Sequence, residues 1–343
     1  MGSFLFYKVF YFLFLICLLL PVMPVRAEFP NRLCTETIQQ ETSETPKKDT
    51  IKLGIYVTQL FGLDSNKSEF TADYWIWMHY DGKKAEHFSM LEFFNSIETK
   101  QVTRDPVETG NRTWDSAKYQ SRIEAIWNVE SFPFDRHKLK IEIEAAKSTA
   151  ELELIPDIED SGINPEIKLD GWRLIESKVS VYPFKYPTKF GSPTRDTPEE
   201  YSRVVLEFAV ERNAIGLFFK LHSGAYVAFL ITILAYFMKP GADDIFSGRM
   251  SIIVSMLFAT LVNLQIVEST IGKTNELSLS DKIHMSTMAS IFISICVCLI
   301  SRRLYDRGFS QWAVKMDAYA GVIQCFLYIL INVILITLAA TNH

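Results

Sequence analysis

Two hydrophobic patterns divide this chain near Arg212. Before it, apolar residues come in short runs, several with a period of two. After it they form long, nearly uncharged stretches. Residues 136–145 alternate most cleanly: Leu139, Ile141 and Ile143 fall on one side, Lys138, Lys140, Glu142 and Glu144 on the other. That period predicts a half-buried strand, and Glu151 to Leu154 repeats it. Runs at 52–58, 71–80, 172–182 and 202–211 are rich in aromatic and β-branched residues. Turn formers separate the runs at Asp64-Ser65-Asn66, Asp81-Gly82, Asp105-Pro106, Gly110-Asn111 and Gly191-Ser192-Pro193. Many short strands without a helical period predict a β-sandwich or barrel.

Four later segments, at about 215–238, 250–271, 283–301 and 318–340, are long enough to cross ~30 Å of hydrocarbon at ~1.5 Å per residue. The second is unusually polar. Steps of three and four residues place Ser247, Ser251, Ser255, Phe258, Val262, Gln265 and Ser269 on one stripe, with Ile252, Ile253, Met256, Leu257 and Leu264 opposite. Polar groups in lipid are expensive and face other helices or water. The stripe therefore admits two readings: a helix joined to its neighbours by small polar residues, or a helix that lines a pore.

The N-terminus has the form of a cleavable signal: Lys8, an apolar run from Val9 to Leu20, and small residues before a cut after Ala27. Residues 28–50 are polar and are expected to be poorly ordered. The domains predicted are thus a signal at 1–27, an extracytoplasmic β-sandwich at 28–212 and a four-helix transmembrane domain at 213–343. Arg302, Arg303, Arg307 and Lys315 make the densest basic loop, which predicts a cytoplasmic position for it. Four spans then put the sandwich and the C-terminus outside, in agreement with the signal. The expected location is the cell membrane, as a multi-pass protein.

Composition narrows the chemistry. A net charge of −5 without a basic cluster argues against nucleic acid. Of the 5 cysteines only Cys34 would remain in an oxidising compartment, so no disulfide framework is expected. Cys296 and Cys298 read as small buried hydrophobes, and Cys325 also lies in an apolar helix. His79, His87, His137, His222 and His284 show no metal-ligand spacing; His222 in a membrane helix and His137 and His284 near the domain junction could sense protons, but the reading the sequence favours is surface or buried neutral histidine. The sequence has no Ser-His-Asp order, phosphate loop or metal cluster, so neither an enzyme nor a cofactor is expected.

Phe132-Pro133-Phe134-Asp135, within the run from Trp127 to Leu139, resembles the signature-loop tip of the pentameric ligand-gated ion channels, the Cys-loop receptor superfamily. Gly54-Ile55-Tyr56 with Leu63-Asp64, then Leu169-Asp170-Gly171-Trp172, Arg212, and the run from Arg249 to Lys273 match further parts of that family in order. Ala125 and Leu139 stand where the loop cysteines would be, and the third helix connection is short, as in prokaryotic members; the implied membrane is a bacterial inner membrane. Departures are the missing proline of the first membrane helix (Lys220-Leu221-His222-Ser223-Gly224 instead), Gly272 where the outer linker often has proline, and Ser247 in place of the inner acidic ring.

The resemblance implies a homopentamer in membrane lipid that conducts inorganic ions and opens to a small agonist or to protons; a weak preference for cations is expected from Asp243 and Asp244 near the cytoplasmic mouth and Glu268 near the outer end, opposed by Lys239 and Arg249. Phe132, Pro133 and Phe134 would form an apolar knuckle on the membrane helices. Arg212 would lie between Asp64 and Asp135 at the same junction, and Lys273 would belong to the coupling linker. Tyr182, Phe184, Tyr186 and Phe190 would form an aromatic box for an agonist. Phe258 and Val262 would be the apolar constriction of the pore. The competing reading keeps the scaffold as a non-conducting sensor or assembly module.

Overall fold

The structure, a computed structural model, describes residues 49–81, 87–109, 112–192, 197–272 and 276–341. The signal segment, Cys34, Lys273 and His343 lie outside them. Among the described residues ten strands come first: β1 (Asp49–Asp64), β2 (Glu69–Asp81), β3 (Leu91–Phe93), β4 (Ser96–Thr109), β5 (Arg112–Glu124), β6 (Arg136–Ser148), β7 (Leu152–Pro156), β8 (Gly162–Ile163), β9 (Trp172–Lys185) and β10 (Glu200–Arg212). Helices α1 (Ala214–Leu234), α2 (Asp243–Ile271), α3 (Leu279–Asp306) and α4 (Ser310–Thr341) follow, α1 ending in a 3-10 turn over Ala235–Phe237.

The strands form two sheets. One has the order β4-β5-β2-β1-β7, with β8 also paired to β1; the other runs β3-β6-β10-β9. Between them lies one apolar core that includes Ile51, Leu53, Ile55, Phe70, Ile76, Leu139, Ile141, Ile143, Leu206 and Phe208. The alternation of β6 is therefore real on its apolar side. Its other side is not uniformly solvated: Glu144 is buried, because Arg203 faces it across the β6–β10 ladder and pairs with it. Gly54 is needed where it stands, since a Cβ there would come 2.1 Å from the Trp77 ring on the paired strand. That space lets the Trp77 indole donate to Asp157 (3.0 Å).

The β4–β5 hairpin departs from the expectation, because Asp105-Pro106 lies inside β4 rather than at a break. Proline is tolerated there because β4 is an edge strand. The side chains of β4 are almost all exposed, so it has no apolar alternation. In β5 the buried face includes Thr113, Asp115 and Ser121, polar residues that mask the period of two. Arg104 satisfies Asp115 through Nε (3.1 Å) and Nη2 (2.5 Å), and Tyr74 shares a hydrogen bond with Ser121 (2.7 Å).

All four helices are long and apolar enough to cross a membrane, which makes the chain a multi-pass membrane protein. They extend beyond their apolar centres because their polar ends are held. Ser278 and Asp281 form a reciprocal capping box at the start of α3. Arg302 near its end bonds Asp243 (2.6 Å) and the carbonyls of Pro240 and Gly241 (both 3.1 Å), fastening the α1–α2 connection. α2 is the least buried of the four.

Candidate functional site

β10 passes into α1 through Asn213, and around this passage the sandwich grips the helix bundle. Arg212 donates to Asp135 from Nε (2.7 Å) and Nη2 (3.0 Å), while His137 Nε2 lies 2.7 Å from the same carboxylate. The guanidinium carbon stands 4.0 Å from the Trp172 ring centre and 4.9 Å from that of Phe132. Trp127 and Trp172 both pack edge-on against His137. Burial alone would push the Asp135 carboxyl up, but the hydrogen bonds from His137 and Arg212 hold it below the ordinary carboxylate range.

Asp64 is not a partner of Arg212, contrary to the expectation. Its carboxylate caps its own turn, accepting from the N–H groups of Asn66 (2.9 Å) and Lys67 (3.3 Å), with Lys67 Nζ 3.7 Å away. Short polar residues in turns satisfy nearby backbone first. His137, Trp127 and Trp172 take the place expected for Asp64.

Phe132 and Phe134 of the knuckle pack on the helices. Phe132 packs with Leu221 of α1 and with Val267 and Ile271 at the end of α2. Phe134 packs against Phe218, Leu279, Ile283 and Ala339. The Phe132-Pro133 bond is cis. Ser280 Oγ donates to Phe132 O (3.3 Å), and Leu279 N–H donates to Glu130 O (2.8 Å). A second contact comes from the β1–β2 turn. Ser65 Oγ donates to Ile271 O (3.3 Å), and Asn66 Nδ2 to Ser269 O (3.5 Å) and Thr270 O (3.4 Å). These are carbonyls that a helix end leaves unpaired. Gly272 makes this possible: its φ is 96°, and a Cβ on it would come 2.0 Å from Asn66 Oδ1. A proline could not take that φ.

All seven stripe residues of α2 are exposed. At 3.6 residues per turn they span about 80° of arc, centred about 180° from the buried residues Arg249, Ile253, Thr260, Val267 and Ile271. Phe258 and Val262 are 62 % and 58 % exposed, whereas Leu257 is half-buried. Ser255 Oγ donates to Ser251 O (2.7 Å), which leaves only oxygen lone pairs of that hydroxyl facing outward.

The aromatic cluster on β9 already holds a cation. The Arg203 guanidinium lies 3.6 Å from the Phe94 ring centre and 4.2 Å from that of Phe184, and donates to Glu144 from Nε (2.8 Å) and Nη2 (2.6 Å) and to Tyr186 Oη (3.0 Å). Tyr186 donates to Glu144 in turn (2.8 Å). Burial, followed by that carboxylate, pushes its phenol up to about 12. Phe190 stacks edge-on against Tyr186 and is 58 % exposed; Tyr182 is 37 % exposed outside the cluster.

A buried polar layer crosses the bundle at its other end, where the sequence suggested only scattered charges. Arg249 Nη1 bonds Asp317 (2.8 Å), Ser301 Oγ donates to the same carboxylate (2.9 Å), and the arginine sits 5.4 Å from the Tyr236 ring centre. Tyr236 and Ser294 both donate to Gln324 Oε1 (2.9 and 3.0 Å). Arg249 therefore stands among the helices and not on the stripe. Among the described residues no His, Cys, Asp or Glu cluster suited to a metal is found.

Compared with known proteins, the sequence matches no family model and no curated protein.

Proposed function

We propose that this chain is a subunit of a homopentameric ion channel of the pentameric ligand-gated type, gated by an agonist or by protons, with α2 lining the pore. The observation that carries the reading is the exposed stripe of α2, a row of hydroxyl and amide residues interrupted by Phe258 and Val262. In a five-fold ring these two residues become stacked apolar constrictions that close by dewetting, while Ser247, Ser251, Ser255, Gln265 and Ser269 meet the ion. The orientation follows the basic loop: Arg302 to Lys315 in the cytoplasm and the sandwich outside.

Coupling runs through the two contacts of the sandwich with the bundle: the Phe132-Pro133-Phe134 knuckle, supported by Asp135 and Arg212, and the Ser65-Asn66 cap on the last carbonyls of α2. Lys273, which follows Gly272 in sequence, is read as part of the coupling linker. Since Arg203 fills the box formed with Phe184, the rings left to meet an agonist are Tyr182 and Phe190 with the outer edge of Tyr186. Cations are favoured weakly. Arg249 is neutralised by Asp317, Asp243 is paired with Arg302, and Asp244 lies on the stripe one turn before Ser247 with its carboxylate exposed; Lys239 opposes it.

Purified protein in liposomes tests the reading, with cysteine placed in turn at Ser251, Ser255, Val262 and Ile253. Thiol reagents should block ion flux at the first three positions and leave Ile253→Cys unaffected, and particle images should show five-fold symmetry. A five-fold particle that never conducts, at any pH or with any ligand tried, would favour the non-conducting sensor instead.

A further inference from the structure

From the packed side of α2, Asn263 reaches both neighbouring helices. Its Nδ2 donates to Leu221 O on α1 (2.7 Å) and lies 2.8 Å from His284 Nε2 on α3. Gly224 leaves room for it: a Cβ there would stand 3.3 Å from Asn263 Cγ and Oδ1. The hydrogens of this group follow from the carbonyls around it. Leu221 O only accepts, so the amide nitrogen must face it. The same nitrogen faces His284 Nε2, which is therefore an acceptor without a hydrogen. The ring proton sits on Nδ1, 2.8 Å from Ser280 O. His222 is in the same state, with Nδ1 at 2.8 Å from Phe218 O. Its Nε2 is fully buried and has no hydrogen-bond partner. The two rings lie 5.5 Å apart.

We propose that His222 and His284 form a binding site for one proton, and that its occupancy decides whether Asn263 keeps both of its ties, to α1 and to α3. A protonated His284 carries a hydrogen on both nitrogens, so Nε2 then meets a donor. Turning the Asn263 amide over would offer Oδ1 to His284 but set it against Leu221 O, another acceptor. Either way α2 loses one of its two ties. An acceptor for the displaced N–H is offered by the orphan Nε2 of His222, on a ring centred 5.5 Å from that of His284. The other ionisable groups of this region are Tyr226 on α1, Tyr328 on α4 behind Thr287, and Asp281 one turn earlier on α3. Beyond them the Glu130–Lys282 pair (3.4 Å) closes the outer end. Asp281 and Glu130 favour the proton and Lys282 opposes it; α2 contributes no charge beside Asn263.

The consequence for opening rests on α2 being the pore helix, but the proton site does not, so the test reads the helix directly. Amide hydrogen exchange of residues 257–271 is measured on the full chain in nanodiscs at about pH 7.5 and about pH 5, the range in which histidine titrates, corrected for the intrinsic rate. Exchange should rise about tenfold at the lower pH, the effect of losing one such hydrogen bond. His284→Gln, whose side-chain oxygen still accepts from Asn263, should abolish the response. Asn263→Leu should give fast exchange at both pH values, and His222→Phe should move the response to lower pH. A wild type without the response, or His284→Gln with the full response, overturns the proposal. Flux recorded in parallel separates the two ideas: a pH response in exchange with no current removes the pore and keeps the proton site, and current without that response does the reverse.

Discussion

Asp135 shows what one buried carboxylate can organise. It joins β6 to the last residue of β10 through Arg212, holds His137 between two tryptophans, and leaves the knuckle fixed in front of it. Because its folded pKa is depressed, its contribution to stability is complete above the ordinary carboxylate range, near pH 4, and is lost as pH falls through the folded value. Asp135→Asn should leave Arg212 largely buried without its counter-charge, at a cost of about 3–5 kcal/mol. Thermal unfolding of the purified protein at neutral pH should show the loss, and the variant should lack the acid-limb decline that Asp135 contributes. Equal unfolding temperatures would mean that solvent replaces the pair. The Arg212–Asp135 partnership was legible because both residues lie in recognisable motifs. The share assigned to Asp64 was not, since an aspartate followed by Ser-Asn-Lys serves its own turn. Arg203 in the aromatic cluster was equally hidden: only the β9–β10 and β6–β10 registers bring Phe184, Glu144 and that guanidinium together.

Among the elements, α2 was the most readable, since a helix with one polar stripe and one apolar side repeats its pattern for about six turns. The proposed gate gives it a paired prediction. Phe258→Ser should continue the hydroxyl row and wet the constriction, producing constitutive leak or activation at lower stimulus. Leu257→Ser, half-buried against neighbouring helices, should reduce expression and little else. Recordings at matched surface levels decide, and leak from Leu257→Ser alone would assign the stripe to the wrong side. What the stripe did not disclose was Arg249, which looks like a mouth charge in the sequence and is instead locked to Asp317 of α4, outside the reach of any local pattern. Asp317→Asn should strand a buried guanidinium and cost about 3–5 kcal/mol. The double replacement Arg249→Met with Asp317→Leu should recover most of it, because an apolar pair needs no compensation in a membrane. Thermal stability in detergent reads both, and a double variant no better than Asp317→Asn would mean that the pair has a role beyond mutual neutralisation. The β4–β5 hairpin escaped notice for the opposite reason to α2: its edge strand has no buried face, and its partner buries polar residues.

At the scale of the molecule, the division into a β-rich half and four apolar helices was legible from hydrophobic period alone, while the junction between them was legible only in part. The knuckle was marked by its motif; the Ser65-Asn66 cap on α2 was not, because its partners are backbone carbonyls that leave no trace in sequence. The junction also bears on topology. Phe134 shares one apolar cluster with Phe218 near the start of α1, Leu279 and Ile283 at the start of α3, and Ala339 at the end of α4. The end of α4 thus lies on the sandwich side of the bundle, which an even number of crossings requires. The α3–α4 connection, with Arg303, Arg307 and Lys315, falls at the opposite end, beyond the Arg302–Asp243 tie. A tag placed after His343 should therefore be reached in intact cells by the same impermeant reagent that labels Lys138→Cys on the exposed edge of β6. A tag inserted at Gly308, between α3 and α4, should be reached only after the membrane is opened. Labelling of the C-terminal tag only in opened cells would remove the four-span arrangement, and with it the ring of α2 helices that the proposed pore needs. Labelling of both tags in intact cells would mean that the basic loop does not set the orientation, and the Gly308 and Lys138 sites would then have to be mapped again from the same side.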